Sequence, residues 1–188
     1  MKRRAFIEQR TRIFMGCEGE SEGAYVSLLR AFAEDARLPI HVHAEVFPKG
    51  VGDPLARVER ACMRIEQLHA QRGAFRHKFI LLDTDQIEND KGRADRAMRL
   101  AAEEEIILIW QEPCHEALLL RHLPGRADRR PPATAEAVKA LQKEWPEYAK
   151  PMTRHGLSQR LDLEAVRRAA QVEDQLARLL HTLGLGGG

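Results

Sequence analysis

The chain has 188 residues, 44% hydrophobic and 31% charged, with a formal net charge of +2. This suits one domain, or a domain with an appendage, and excludes a polyanion binder that works through bulk charge, so any nucleic-acid face is a local patch. Three scattered cysteines, Cys17, Cys62 and Cys114, form no CxxC pair, which argues against a disulfide framework or a structural zinc site and for a reduced, cytoplasmic protein.

The basic opening "MKRRAFIEQR" is followed by no apolar h-region. The stretch "RIFMGC", 12–17, is continuously apolar and predicts a strand covered on both faces. "SEGAYVSLLRAFAEDAR", 21–37, has helical spacing through Tyr25, Leu28, Leu29 and Phe32, with Ser21 as its expected N-cap. "PIHVHAEVFP", 39–48, alternates with period two and predicts a strand nearer a sheet edge. Asp53 before Pro54 starts a second helix, 54–72, on Leu55, Val58, Cys62, Ile65 and Leu68. "HKFILLDTD", 77–85, is a buried strand running into two aspartates, and a polar helix is expected over 89–104. "EIILIW", 105–110, is the fourth strand; Pro113 suits the first turn of the helix after it.

Strand and helix thus alternate four times, which predicts an α/β fold: a parallel sheet of about four strands flanked by helices through right-handed crossovers. The loop "PGRADRRPP", 124–132, breaks the pattern, and helices follow at 134–144 and near 158–183. The expected organisation is an α/β domain over 11–124 and a C-terminal helical extension over 125–188 packed on it. The terminal "LGLGGG" is given no role. No apolar run approaches the ~18 residues that span a membrane.

In a parallel sheet the C-terminal strand ends share one edge, where such folds build sites. Strand one ends at Glu18 and strand three at Asp83 and Asp85, with Glu22 in the first turn of the following helix. Alternation on an extended backbone would point Asp83 and Asp85 the same way. Converging carboxylates repel one another, and a hard divalent cation with oxygen ligands relieves that repulsion.

"CEGESE", 17–22, and "LLDTDQ", 81–86, resemble the two signature motifs of Toprim domains. "EPCHEALLLRHL", 112–123, resembles the "NPCFELWLLLHF" pattern of RloB-like proteins, with Pro113, Cys114, Glu116, Leu119, Leu120 and His122 in ungapped register. Tyr25 and a later Tyr-x-Lys, Tyr148 and Lys150, also fit that family; Glu112, His115 and Leu118 depart from its asparagine, phenylalanine and tryptophan. The resemblance extends over 11–155. It implies a Toprim-like, Rossmann-like fold and divalent-metal phosphodiester chemistry with Mg²⁺ or Mn²⁺, related to the overcoming-lysogenization-defect nucleases. It also implies a setting in anti-phage defence, often beside an ATPase partner.

The expected mechanism places Mg²⁺ on Asp83 and Asp85, with Glu18 as metal ligand or general base. Glu22 completes the first shell or holds a second ion, and Glu116 is a further ligand or an outer partner. Lys78, Arg121, Arg126, Arg129 and Arg130 are candidate phosphate contacts, although arginines in a proline-rich loop are more often simply solvated. The expected partners are nucleic acid, DNA or RNA, then an ATPase subunit and a further copy of the chain, with no membrane. His41, His43, His77, His115, His122 and His155 show no zinc spacing. Two other readings stay open. One is a non-catalytic metal-binding or regulatory subunit of an ATPase complex. The other is a phosphatase of the haloacid dehalogenase type, whose DxDx motif normally follows the first strand rather than the third. "GCEGESEG" lacks the Lys-Ser/Thr of a P-loop.

Overall fold

The first strand, β1 (Thr11–Cys17), is buried over its last five residues, as a continuous apolar run requires of a central strand. It pairs in parallel with β2 (Ile40–Val46) on one side and β3 (His77–Asp83) on the other, and β3 pairs in parallel with β4 (Ile106–Gln111). The sheet order is β2-β1-β3-β4. The alternating strand therefore lies at an edge, and both strands that end in carboxylates are central neighbours. These statements rest on a computed structural model that describes residues 10–48, 50, 52–85, 87 and 91–187. The basic opening stretch, Gln86 of the second motif and the first two residues of the expected third helix lie outside them.

Helices cover both faces. On one face, α2 (Pro54–Arg72) and α3 (Lys91–Glu103) enclose Phe14, Ile80 and Leu82 with Val58, Ile65 and Ala97. On the other, α1 (Glu20–Asp35) and α4 (His115–His122) pack on Ile13, Met15, Phe79 and Leu81. The same apolar cluster continues through α5 (Thr134–Glu144), α6 (Arg154–Ser158), α7 (Leu163–Ala170) and α8 (Asp174–Leu183). Among the described residues no helix is long and apolar enough to cross a membrane.

Helix boundaries differ from expectation at three places. Gly19, not Ser21, is the N-cap of α1, and Ser21 is buried inside the first turn. Pro113 stands before α4, whose N-cap is Cys114, and its carbonyl accepts the N–H groups of Thr84 and Asp85, each at 3.1 Å. The long helix expected over 158–183 is broken. The Asp162 side chain caps α7 by accepting from the Ala165 N–H at 2.7 Å, and a cap residue starts a helix rather than continuing one. Glu173, between α7 and α8, pairs with buried Arg121 at 2.6 Å and with Arg130 at 3.1 Å.

Gly16 explains the glycine in a fully buried strand. A β-carbon there would sit 2.7 Å from Phe47 Cζ and 3.2 Å from Ile80 Cγ1, and Phe47 is itself buried. Gly16→Ala is expected to cost about 1–3 kcal/mol through overpacking, read as a lower urea midpoint at unchanged slope. An unaltered midpoint would show that Phe47 yields freely.

Candidate metal centre

Because β1 and β3 run side by side in parallel, Glu18 lands beside Asp83. Glu18 Oε2 accepts the Asp83 backbone N–H at 3.0 Å, and its Oε1 pairs with Arg57 Nη2 at 3.0 Å. Arg57 is itself buried, in the first turn of α2. Glu22, also buried, folds back over the strand end. Its Oε2 would lie 3.2 Å from a β-carbon built on Gly19. A cavity of about 430 Å³ opens here, lined by Glu18, Glu20, Glu22, Arg57, Asp83 and Lys150 among others.

Asp83 is 7% exposed and its Oδ1 has no hydrogen-bond partner. Burial, and then the nearby charges of Glu18, Glu22 and Asp85, raise its pKa to about 9. Burial also raises Glu18, against the opposing pull of the Asp83 N–H and Arg57. These are the electrostatics of buried carboxylates whose mutual repulsion Arg57 and Lys150 offset only in part.

Asp85 is placed differently from the period-two expectation. The strand stops at Asp83, and the next two N–H groups turn to the Pro113 carbonyl. Asp85 is exposed, accepts from Thr134 Oγ1 at 2.8 Å, and lines a second groove with Glu112 and Arg130. It still acts on Asp83 through its charge.

Glu116 lies fully buried on α4. Its Oε1 accepts from Tyr148 Oη at 2.9 Å and pairs with Lys150 Nζ at 2.8 Å. Burial alone would raise its pKa, but Lys150 and Tyr148 outweigh that and hold it down at about 2. Its Oε2 has no hydrogen-bond partner. Glu116 therefore anchors Lys150, whose half-exposed ammonium lines the cavity and feels Glu22 and Asp83.

Other motif residues hold the frame. Tyr25 donates its hydroxyl proton to His122 Nε2 at 2.8 Å, which fits an imidazole donating Nδ1–H to the Leu118 carbonyl at 2.7 Å. Burial lowers the His122 pKa to about 4, so the ring is neutral. His115 is buried against Gln111. Both histidines tie α4 into the core.

The candidate phosphate contacts do not gather at the cavity. Lys78 is the second residue of β3, at the opposite end of the sheet, and donates to the Glu104 carbonyl. Arg126 pairs with Glu144 and Arg130 with Glu173. Arg129 and these two line a groove beside α5. Buried Arg121 holds the Glu112 and Arg129 carbonyls and so braces that loop. Among the described residues, the cations that line the cavity are instead Arg57 and Lys150. Arg57 had a sequence signal, since it stands on the buried stripe of α2 with Val58, Ala61 and Ile65, where a charge needs a partner. Lys150 had only the Tyr-x-Lys resemblance.

Among the described residues no group of three or more His, Cys, Asp or Glu side chains is placed to hold a metal ion. The donors still suit a hard divalent cation. They are carboxylate oxygens, and one of them, Oδ1 of Asp83, is buried without a hydrogen-bond partner on a residue that lines the cavity. Loading requires the carboxylates to close in, and a ligand role for Glu18 Oε1 requires its contact with Arg57 to loosen.

No curated protein and no solved structure matches the chain. The family model described as RloB-like protein matches residues 13–180, which is most of the length. The matched span takes in both strand-end carboxylates, the α4 motif and the Glu116–Lys150 pair, and the chain belongs to the RloB-like family.

Proposed function

We propose that this protein is a divalent-metal-dependent nuclease that hydrolyses phosphodiester bonds in DNA or RNA, acting in anti-phage defence beside an ATPase partner. The observation behind this reading is the buried Asp83 carboxyl, one oxygen of it without a hydrogen-bond partner, sharing a cavity with Glu18 and Glu22 where two adjoining strands end. Its position after the third strand, with a glutamate after the first, is the Toprim pattern. The defence setting and the ATPase rest on the family resemblance alone.

Asp83, Glu18 and Glu22 would hold Mg²⁺ or Mn²⁺, with Asp85 at the margin. The ion would supply Lewis acidity toward a phosphate oxygen and a more acidic water. Asp83 must be ionised to bind it, so binding releases a proton. In the alternative arrangement, with the ion on Asp83 and Glu22 alone, Glu18, raised by burial, would suit the base that takes the proton of the attacking water. The test is incubation with plasmid, single-stranded DNA and tRNA in Mg²⁺, Mn²⁺ or EDTA. Cleavage with either metal and none in EDTA is the expected result. Metal-independent cleavage, or none on any substrate, would remove the proposal.

A second reading is a metal-binding or regulatory subunit that acts through its partner. It is favoured by the internal counter-ions on Glu18 and Glu116. Metal binding without hydrolysis, together with recovery of an ATPase in the same complex, would select it. A phosphatase would instead turn over para-nitrophenyl phosphate and trap an aspartyl phosphate.

A further inference from the structure

The cavity has a carboxylate floor and a basic group on each of two separate elements. Arg57 comes from the first turn of α2, and Lys150 from the segment between α5 and α6. Neither belongs to the arginine loop that the sequence suggested for phosphate contact. Both are built in. Arg57 is 8% exposed and pairs with Glu18, while Lys150 is held at 2.8 Å by a fully buried glutamate that a tyrosine also grips. The Lys150 side chain is 55% exposed and lines the cavity, while its ammonium pairs with the buried Glu116 carboxylate. The acidic floor alone would repel any phosphate, and a nuclease site needs compensating charge beside its metal ligands.

We infer that Arg57 and Lys150 form the seat for one phosphodiester group, binding its non-bridging oxygens from opposite elements above Asp83. Arg57 offers a planar fork and Lys150 a point charge. Were Glu18 to hold a metal ion, Arg57 would be released from it and would be available to the phosphate. Glu116 and Tyr148 are positioning residues for Lys150. This rests on the nuclease reading, and it adds which side chains of this chain touch the substrate.

The experiment uses the full chain in Ca²⁺, with a short labelled single-stranded oligodeoxynucleotide followed by anisotropy across a salt series. Mn²⁺ binding is followed separately by electron paramagnetic resonance. Lys150→Met and Arg57→Met are each expected to weaken oligonucleotide binding about tenfold and to flatten the salt slope by about one. Mn²⁺ affinity should hold or rise, and Lys150→Arg should recover most of the binding. Lys139→Ala, an exposed lysine of α5, removes one charge elsewhere and should leave the slope nearly unchanged. Unaltered oligonucleotide affinity in both methionine variants, or a loss that only follows lost Mn²⁺ binding, would overturn the seat. If the wild type binds through these residues yet cleaves nothing in Mg²⁺ or Mn²⁺, the nuclease reading fails and the seat stands. If it cleaves and both variants cleave like wild type, the seat fails and the nuclease reading stands.

Discussion

Asp83→Ala is expected to lower Mg²⁺- or Mn²⁺-dependent cleavage by about 10³-fold or more in kcat, with the protein still folded. Asp83 is the last residue of a central strand, its Oδ1 has no other partner, and its side chain lines the cavity. Among the described residues no other carboxylate oxygen lining the cavity is buried without a hydrogen-bond partner. Glu18 is shared with Arg57 and the Asp83 N–H, and Asp85 is turned toward Thr134. Asp85→Ala should therefore cost less than Asp83→Ala, although both belong to the same DxD. Initial rates on one cleaved substrate, with circular dichroism to confirm folding, would settle the order. Cleavage that survives Asp83→Ala would remove Asp83 from the mechanism, and equal losses would contradict the split between the two aspartates.

Metal-free protein is expected to lose stability as pH rises from about 4 to about 9, and Asp83→Asn is expected to remove most of that loss. The folded pKa of Asp83 is raised from 3.8 to about 9. Between those values the native state keeps a proton that the unfolded chain has released. Stability then falls with rising pH, by at most about 1.4 kcal/mol per pH unit for one group. Glu18 is raised too and acts in the same direction. Glu116 has the opposite sign. Its pKa is lowered from 4.5 to about 2, so its contribution is complete above about 4.5 and is lost as pH falls toward 2. Stability should peak in mild acid. At pH 8, Asp83→Asn should raise the metal-free Tm by several degrees, where about 1 kcal/mol is worth roughly 2–4 °C in a chain of this size. Mg²⁺ should stabilise the wild type more as pH rises and the variant hardly at all. A flat wild-type profile above pH 5, or equal Mg²⁺ effects on both proteins, would contradict the account.

The strands were legible because each is a short apolar run, although pattern follows place only in three of them, β4 being a continuous run at an edge. The central strands β1 and β3 are continuous, and the edge strand β2 alternates. Parallel pairing then brought Glu18 and Asp83 together without further information. The site was less legible beyond that pair. The alternation rule failed at Asp85 because the strand ends two residues earlier, at Asp83, after which two N–H groups turn to the Pro113 carbonyl that follows the neighbouring β4. The long C-terminal helix failed because Glu173 meets Arg121 from α4, a tertiary contact that local periodicity does not contain. Lys150 reaches the cavity through a glutamate more than thirty residues earlier in the chain, and its only local signal was the Tyr-x-Lys resemblance. Arg57 was visible in principle, as a charge on an apolar stripe.

The most direct measurement is diffraction from crystals soaked in Mn²⁺, with the ion located by its anomalous signal. The predicted result is a peak within about 2.0–2.2 Å of an Asp83 carboxylate oxygen. Oxygens of Glu18 or Glu22 should join it, with Arg57 displaced from Glu18. An ordered cavity with no peak beside Asp83, and Arg57 still paired to Glu18 at saturating Mn²⁺, would contradict the gathering of these carboxylates around a divalent ion.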